Sequence, residues 1–286
     1  MWIRKILIEV MRLNNKKYFS KIIKYSLALI VLSMSIFPIF WILLTSFKSR
    51  IDIMSMTPKV IFKPIFSNYL NMLIEKQFSS VFVNTIIISF SSAFLALTLG
   101  TFAAYGFARF KVKYNNNLLF WILSTRMFPP ITTVLPYFIL MAKLNMLGTY
   151  WGLILVHTAY NLPFSIWMMK GFFEEIPKEI DEAALIDGCS VYSCLFKIDL
   201  PLSTPGLMAT AIFCLIFSWN EFLMASILTG PGTHTVPVAI SELVASHNTD
   251  WGGIAAMGIL SIIPIFLFIL SVQKYIAKGL TFGAIK

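Results

Sequence analysis

The sequence predicts an all-α membrane protein with six transmembrane helices and one long polar loop on the inner side of the membrane. Its 286 residues are 58% hydrophobic and only 13% charged, whereas a soluble domain carries about 25% charged residues. A helix needs about 20 mostly apolar residues to cross a bilayer. Runs that approach or exceed this length lie at 26–46, 82–105, 117–141, 150–172, 205–228 and 254–273.

The basic residues predict how these helices are oriented. The formal net charge is +10, and a basic protein often binds nucleic acid, but Lys and Arg also collect in the cytoplasmic loops of membrane proteins. If six helices alternate in direction, the basic leader, the loops after the second and fourth helices, and the tail fall on one side. The basic loop at 47–79 falls on the other side, but long loops are a weak guide to orientation. We therefore expect a multi-pass protein of the cell membrane, in contact with lipid, with both termini in the cytoplasm and no nucleic-acid partner.

The chain divides by composition into three parts. Apolar residues recur at helical spacing in the basic segment 1–25, which predicts a short helix on the membrane surface; a frayed basic leader is the alternative. The run at 26–46 is too long for a signal-peptide core, and no small-x-small cleavage site follows it. We therefore expect a six-helix permease-like domain at 26–276 and a cytoplasmic tail at 277–286.

The third apolar run differs from the others because it contains an arginine and three prolines, namely Arg126, Pro129, Pro130 and Pro136. Proline removes a backbone donor and clashes with the preceding turn, so it kinks or breaks a helix. Inside a bundle, neighbouring helices can satisfy the backbone groups that proline frees. We expect this helix to be kinked or broken near its start.

Cysteine and histidine residues offer no recognisable metal site. Cys189, Cys194 and Cys214 include no Cys-x-x-Cys pair, and the three histidines are scattered. The chain also lacks the Gly-x-x-x-x-Gly-Lys-Ser/Thr sequence of a phosphate-binding loop. No paired carboxylate or Ser/His arrangement of a membrane-embedded enzyme is apparent. We expect no catalytic residue, no metal and no cofactor bound by this chain.

The inner loop at 174–203 is the most polar part of the chain. Seven of the thirteen acidic residues lie between Glu174 and Asp199. It is the one predicted inner loop long enough for structure of its own. A charged, helix-prone loop on an apolar body suggests a docking surface for a soluble partner.

This loop is predicted to contain two short helices. Pro177 suits a first helical turn and Gly188 suits a C-terminal cap. A second helix is expected from about Val191 to Lys197, ending before Pro201. The i, i+3, i+4, i+7 spacing places four residues on one side of the first helix, namely Ile180, Ala183, Ala184 and Asp187. Most of these residues are small, so another surface can approach the stripe closely.

The loop also carries a recognisable motif. Glu182-Ala183-Ala184 is followed four positions later by Gly188 and then by Ile198-x-Leu200-Pro201. With this spacing, in this loop, the motif resembles the signature loop of the membrane subunits of binding-protein-dependent ABC importers, and in particular the sugar-type permeases similar to the second maltose permease subunit. Further segments that resemble this family are Trp41–Lys48, Arg126–Pro130, Asn161–Phe164, Lys170–Phe173, Ser218–Phe222, Gln273–Tyr275 and Gly279–Lys286. Phe282 departs from the pattern, because a small residue is expected there.

The resemblance implies a permease subunit that forms half of a translocation pore. ATP and Mg would be bound by a separate ATPase dimer, a second permease subunit would complete the pore, and an extracytoplasmic solute-binding protein would deliver the cargo at the loops 47–79 and 229–252. In this family the inner loop is the coupling helix, which sits in a cleft of the ATPase. The residues to which this coupling role is carried over are Glu182, Ala183, Ala184, Asp187, Gly188, Leu200 and Pro201.

A second group of candidate residues lies inside the predicted helices and consists of Arg126, His157, Asn161, Asn220 and Glu221. Ionisable groups in such helices usually face the bundle interior or a water-filled cavity, so these residues are candidates for the translocation path. Structural pairing, hydrogen bonding between helices and snorkelling of the arginine are the alternatives. The resemblance also implies that the partner permease carries most of the sugar contacts.

Other transport functions stay open at this point. The same importer class serves other cargoes, such as a polyol or glycerol phosphate. An ion-coupled secondary transporter is a further alternative, but it would have internal repeats and paired intramembrane carboxylates. This sequence has one clear intramembrane carboxylate, Glu221, and no obvious repeat.

Overall fold

A computed structural model describes residues 2–74, 78–245 and 249–282, with side chains for 21–74, 78–244 and 249–273. These residues form helices and connecting loops and include no β-strand, which confirms the all-α prediction. The helices are α1 (Trp2–Ser46), α2 (Arg50–Ile53), α3 (Ser67–Ile74), α4 (Phe78–Arg109), α5 (Asn115–Met127), α6 (Pro130–Lys143), α7 (Tyr150–Glu174), α8 (Lys178–Ile186), α9 (Val191–Cys194), α10 (Leu200–Leu202), α11 (Thr204–Trp219), α12 (Leu223–Leu228), α13 (Val236–Ala245) and α14 (Trp251–Phe282).

The chain forms two compact units. The smaller one contains the chain up to Tyr69 together with Asp250–Ile259, and the larger one contains Leu70–Thr249 and the chain from Leu260 onward. In the smaller unit, the hydroxyls of Ser46 and Tyr69 lie 2.7 Å apart. The Asn68 amide donates to the carbonyl of Ser46 at 2.9 Å. These bonds fasten the end of α1 to the start of α3.

The larger unit is built around α4, α7 and α11, which all pack against one another. Small residues allow the close approach of helices that is common in membrane proteins. A Cβ atom on Gly100 of α4 would collide with the side chain of Ser165 on α7, and one on Gly206 of α11 would collide with the ring of Phe172. This three-helix core positions the two polar regions described below.

Three helices of the described chain are long and apolar enough to cross a membrane, namely Lys21–Ser46 within α1, α4, and Trp251–Gln273 within α14. The number rises to five if two bent helix pairs each count as one span. The helix α7, which we predicted as the fourth span, is not among them. Its buried polar residues include His157, Thr158 and Asn161.

Two predicted spans are interrupted. Between α5 and α6 the chain bends by 95°, at Phe128 and Pro129, which are both extended. The break therefore falls in the middle of the predicted run 117–141, at the first of the adjacent prolines, and not near the start of the run as predicted. The run predicted at 205–228 is also not one helix, because α11 ends at Trp219 and α12 begins at Leu223.

The ends of the chain are described only in part. The backbone of α1 is helical from Trp2 onward, but the side chains of the first 20 residues lie outside the described set, and so does the predicted membrane-surface face. At the other end, α14 continues to Phe282, and residues 283–286 of the predicted tail lie outside the described residues.

Candidate functional site

The first half of the 174–203 loop contains a short helix that ends in a glycine cap. Pro177 is the residue before α8, and a hydrogen-bonded turn closes its other end. The amide of Gly188 donates to Leu185 at 3.1 Å, and the amide of Cys189 donates to Ala184 at 3.0 Å, which is the Schellman arrangement. Gly188 has a φ of +88°, a conformation that residues with a Cβ rarely adopt. The predicted glycine cap is confirmed in its geometry.

The exposed face of α8 differs from the predicted stripe. Glu182, Ala183 and Asp187 are exposed, as is Gly188 just beyond the helix. Ala184, however, is only 8% exposed and faces the core of its own chain. The prediction that both alanines offer a surface to a partner is therefore wrong for Ala184, because the neighbouring core already covers it.

The second half of the loop continues further than the sequence predicted. The α9 helix passes into a π-helical segment, Leu195–Asp199, and then into α10. Pro201 therefore lies inside a helical stretch, contrary to the predicted end before it. Proline has no N–H to donate to the preceding turn. The π-helical turn before it is wider than an α-helical turn, and such turns are frequent at functional sites. Leu200 packs beside the buried Tyr105, Phe173 and Leu195, whereas Pro201 is exposed.

A buried ion cluster, which sequence reasoning missed, holds this loop against α4. Arg109, the last residue of α4, forms ion pairs with Asp181 of α8 and, at 2.8 Å, with Asp199 of the π-helical segment. It also donates to the carbonyl of Ile176 at 3.2 Å. We call Arg109, Asp181 and Asp199 the arginine clamp. Only 6% of the Arg109 side chain and none of the Asp199 side chain is exposed.

The clamp holds two carboxyl groups and one cation. Burial, together with the neighbouring Asp199, raises the pKa of Asp181 to about 6, although Arg109 acts in the opposite direction. From the sequence, Arg109 is only one of the basic residues that follow the second predicted helix. The excess of acidic residues in the loop was a signal that some of them meet a buried cation, but nothing in the spacing identified which one.

A second polar region lies among α5, α7 and α11, near both helix breaks. We call its five residues, Arg126, His157, Asn161, Asn220 and Glu221, the broken-helix cluster. The carboxylate of Glu221 accepts hydrogen bonds from the amides of Met224 at 2.9 Å and Ala225 at 3.0 Å, which caps α12. Its other neighbour is Nε2 of His157, at 3.3 Å. Glu221 thus stabilises the start of α12 after the break.

Arg126 is held by aromatic rings and not by a carboxylate. It donates to the carbonyl of Tyr160 at 3.0 Å, and its guanidinium carbon lies 4.3 Å from the ring centre of Phe217, with Tyr160 and Phe164 at 4.9 and 5.3 Å. No acidic side chain in the described ranges lies within ion-pair distance of it. The guanidinium is therefore stabilised by cation–π contacts.

The remaining cluster residues divide into buried and open positions. The amide of Asn161 is fully buried and donates to Ser218 at 2.8 Å and to the carbonyl of Cys214 at 3.2 Å. His157 is only 2% exposed. Asn220, in contrast, is exposed and lines an open cleft of about 530 Å³ together with Glu221 and Tyr160. Asn220 and Glu221 thus line an accessible cleft, whereas His157 and Asn161 are buried and make contacts between helices.

Comparison with known proteins relates the chain to transporters. Residues 96–282 match the family described as binding-protein-dependent transport system inner membrane component. The trehalose/maltose transport system permease protein MalG of Thermococcus litoralis is 34% identical over 91% of this chain and 94% of that protein. The sulfoquinovosyl glycerol transport system permease protein SmoH of Agrobacterium fabrum is 33% identical over 93% of this chain and 94% of that protein. The fold is similar to one chain of a bacterial ABC transporter involved in the import of the acidic polysaccharide alginate, with a TM-score of 0.75 and 24% identity over 89% of this chain and 95% of that chain.

Proposed function

The chain belongs to the binding-protein-dependent transport system inner membrane components, and on this premise we propose that it forms half of the membrane pore of an ATP-driven importer for a sugar or an oligosaccharide. Two relatives that cover almost the whole chain are named for trehalose, maltose and sulfoquinovosyl glycerol. These cargoes share sugar rings with many hydroxyl groups. A sugar-containing cargo is the chemistry that they have in common.

The observation that carries the coupling role is the 174–203 loop. Its α8 helix is capped at Gly188, is fixed from behind by the arginine clamp, and presents Glu182, Ala183 and Asp187 outward. Large apolar side chains are exposed beside them, with Ile186 at 86% and Tyr192 at 72%. A polar loop with exposed apolar groups suits a surface that a partner covers. We assign that partner as a separate ATPase pair, which binds ATP and Mg.

Six spans are consistent with this role. They are Lys21–Ser46 of α1, α4, the bent pair α5 and α6, α7, α11 with its interruption, and α14. With this number both termini and the 174–203 loop lie in the cytoplasm. A second permease subunit completes the pore, and a solute-binding protein delivers the cargo at the outer loops.

In the proposed mechanism, closure of the ATPase pair displaces the 174–203 loop and tilts the helices joined to it. The cavity between the two permease subunits then changes from outward to inward access. The open cleft at Asn220 and Glu221 is assigned to the translocation path, because amide and carboxylate groups can hydrogen-bond sugar hydroxyls there. The buried His157 and Asn161 hold the helices that carry this cleft.

The first experiment reconstitutes the chain in vesicles with its partner permease, ATPase and binding protein. ATP hydrolysis and uptake are measured with maltose, trehalose, sulfoquinovosyl glycerol, sorbitol and glycerol phosphate as separate probes. Stimulation by a sugar supports the proposal. Stimulation by sorbitol or glycerol phosphate alone would show that the cargo is a polyol or glycerol phosphate and not a sugar. Uptake that needs no ATP and collapses with an ionophore indicates a secondary transporter and contradicts the proposal.

The coupling role is tested at Gly188 in the same vesicles. Gly188→Asp places a Cβ and a charge at a φ of +88° and should remove stimulation while the complex still assembles. Gly188→Asn is the matched control, because asparagine is the residue that best tolerates this conformation after glycine. Normal stimulation in the Asp variant would show that the loop does not transmit the signal.

A further inference from the structure

We propose that Arg109 is a positioning residue that makes the inner end of α4 move together with the 174–203 loop. This inference rests on the proposed function, since it names the link through which a loop moved by the ATPase acts on a pore helix. The link is the arginine clamp. It joins the last residue of α4 to α8 and to the π-helical segment.

The connectivity of the chain makes such a link necessary. Of the three core helices, α7 leads directly into the loop and α11 follows directly from it. These two helices are pulled through the backbone when the loop moves. The α4 helix is separated from the loop by more than 60 residues, because the contact from Arg109 to Ile176 spans 67 positions and that to Asp199 spans 90. Only side-chain contacts can make α4 follow.

Apolar contacts also join α4 to α7 and to the loop at this level. The rings of Tyr105 and Phe173 meet edge to face at 5.6 Å, and those of Phe102 and Phe196 meet at 6.0 Å. Such aromatic pairs contribute about 0.5–1.5 kcal/mol each beyond the burial of their area. The guanidinium of Arg109 adds two hydrogen bonds, to Asp199 and to the carbonyl of Ile176, and an ion pair with Asp181; its planar set of donors is specific to arginine. The clamp therefore adds directional contacts between the loop and α4.

Burial strengthens the same contacts. The Arg109 and Asp199 side chains are 6% and 0% exposed, so water and salt screen their interaction weakly. The cleft beside the clamp, about 230 Å³ in volume, is lined by Arg109, Asp181 and Glu182 among others. The clamp thus lies directly behind the exposed face of α8 that we assign to the ATPase.

The test uses the full complex and compares two variants with one control. The first variant is Arg109→Gln combined with Asp181→Asn and Asp199→Asn, which removes the charges without leaving a carboxylate unpaired. The second is Arg109→Lys, which keeps the charge but not the planar fork. The control is Lys113→Gln, which removes a charge from an exposed position close to the end of α4 and outside the 174–203 loop.

The first readout is the ratio of binding-protein-stimulated to basal ATP hydrolysis, with the sugar that stimulates the wild type as probe. We expect the neutral variant to assemble and keep basal hydrolysis, with stimulated hydrolysis and uptake reduced about tenfold, within the usual range of coupling between sites. Arg109→Lys should recover only part of the ratio. A normal ratio in either variant overturns the inference, and so does a loss in the control.

The second readout is a distance between spin labels, which needs no cargo. Labels are placed at Lys111→Cys, beside the end of α4, and at Lys178→Cys, at the start of α8, in a Cys189→Ser background. In the wild type the distance should stay single and unchanged when ATP and vanadate trap the complex. In the neutral variant it should broaden and shift. A wild-type distance that changes on trapping contradicts the inference.

Failure of the proposed function has a different signature. In that case the wild-type complex itself shows no stimulation by any probe and no ATP-dependent uptake. If the wild type transports and the neutral variant does so equally well, the proposed function stands and Arg109 has no positioning role.

Discussion

The two buried polar regions of this chain satisfy their charges in opposite ways. In the arginine clamp, Arg109 meets two carboxyl groups and a carbonyl and is almost inaccessible. In the broken-helix cluster, Arg126 rests on aromatic rings, while Glu221 meets helix amides and His157. The clamp closes on itself and holds segments together. The cluster leaves polar atoms facing an open cleft, where they can contact a solute.

The largest effect that separates the two regions is expected from Arg109→Gln alone. It leaves Asp181 and Asp199 buried without their cation, and removing one partner of a buried ion pair costs about 3–5 kcal/mol. We expect much less assembled complex in the membrane and a lower Tm after purification. Lys113→Gln, an exposed position nearby, should leave both unchanged. A normal yield of Arg109→Gln would show that the clamp is not a closed ion cluster.

The next effect is expected from Glu221→Ala, which removes the cap of α12 and the partner of His157. Loss of a helix cap costs about 1 kcal/mol, and loss of hydrogen bonds to a charged group costs about 1.5–3 kcal/mol. Glu221→Gln keeps an acceptor for the amides and should lose less. The comparison is made by the Tm of the purified complex, and equal losses in the two variants would argue against the capping role.

A smaller effect is expected from Arg126→Leu. No carboxylate in the described chain depends on this arginine, so its removal leaves no unpaired charge behind, and the lost cation–π interaction of its guanidinium is worth about 0.5–2 kcal/mol. The Tm should fall by clearly less than in Arg109→Gln. Should the two arginine variants lose equal stability, the distinction between a closed clamp and an open cluster would have to be abandoned.

The smallest effect is a dependence on pH that arises from Asp181 in the clamp. The pKa of Asp181 is raised from 3.8 to about 6, so the folded state binds this proton more tightly than the unfolded state does. Stability is then lowest above pH 6 and increases as the pH falls from about 6 toward about 4. The acidic and basic groups that set this pKa are Asp199 and Arg109.

This pH dependence is measured as the Tm of the complex at pH 7.5 and 5.5, relative to Asp181→Asn. The amide imitates the protonated carboxyl. The Tm of the wild type relative to that variant should therefore be roughly 2–4 °C higher at pH 5.5 than at pH 7.5. Glu179→Gln, at an exposed position of the same helix, should keep the wild-type gain. If the Tm of Asp181→Asn itself rises by the same amount at the lower pH, another group binds the proton.

The predictability of the fold from sequence depends on how local each signal is. The helix α8 and its glycine cap were predictable because Pro177, the acidic first turn and Gly188 act within one short segment. A break in the third predicted span was expected from its prolines for the same reason, but its position at Phe128 and Pro129 lies further along the run than predicted. The continuation through Pro201 was not, because the π-helical segment is stabilised by contacts distant in sequence, such as that between Asp199 and Arg109.

The candidate residues follow the same rule. Glu182, Ala183 and Gly188 were expected on an exposed surface and lie there, whereas the burial of Ala184 depends on the core beneath it. Glu221 was singled out as an intramembrane carboxylate, but its capping of α12 required knowledge that the helix ends at Trp219. Arg109 was overlooked because its partners lie 72 and 90 positions further along the chain.

The π-helical segment Leu195–Asp199 makes the loop sensitive to its own length. A π turn holds one residue more than an α turn, and each residue turns an α-helix by roughly 100°. Deleting one residue between Val191 and Ile198 would therefore convert the π turn into an ordinary α turn and leave Asp199 facing Arg109. Inserting one residue there has no such compensation and would rotate Asp199 by roughly 100° away from Arg109. Among related chains, single deletions should be tolerated in this segment, whereas insertions should be excluded from it.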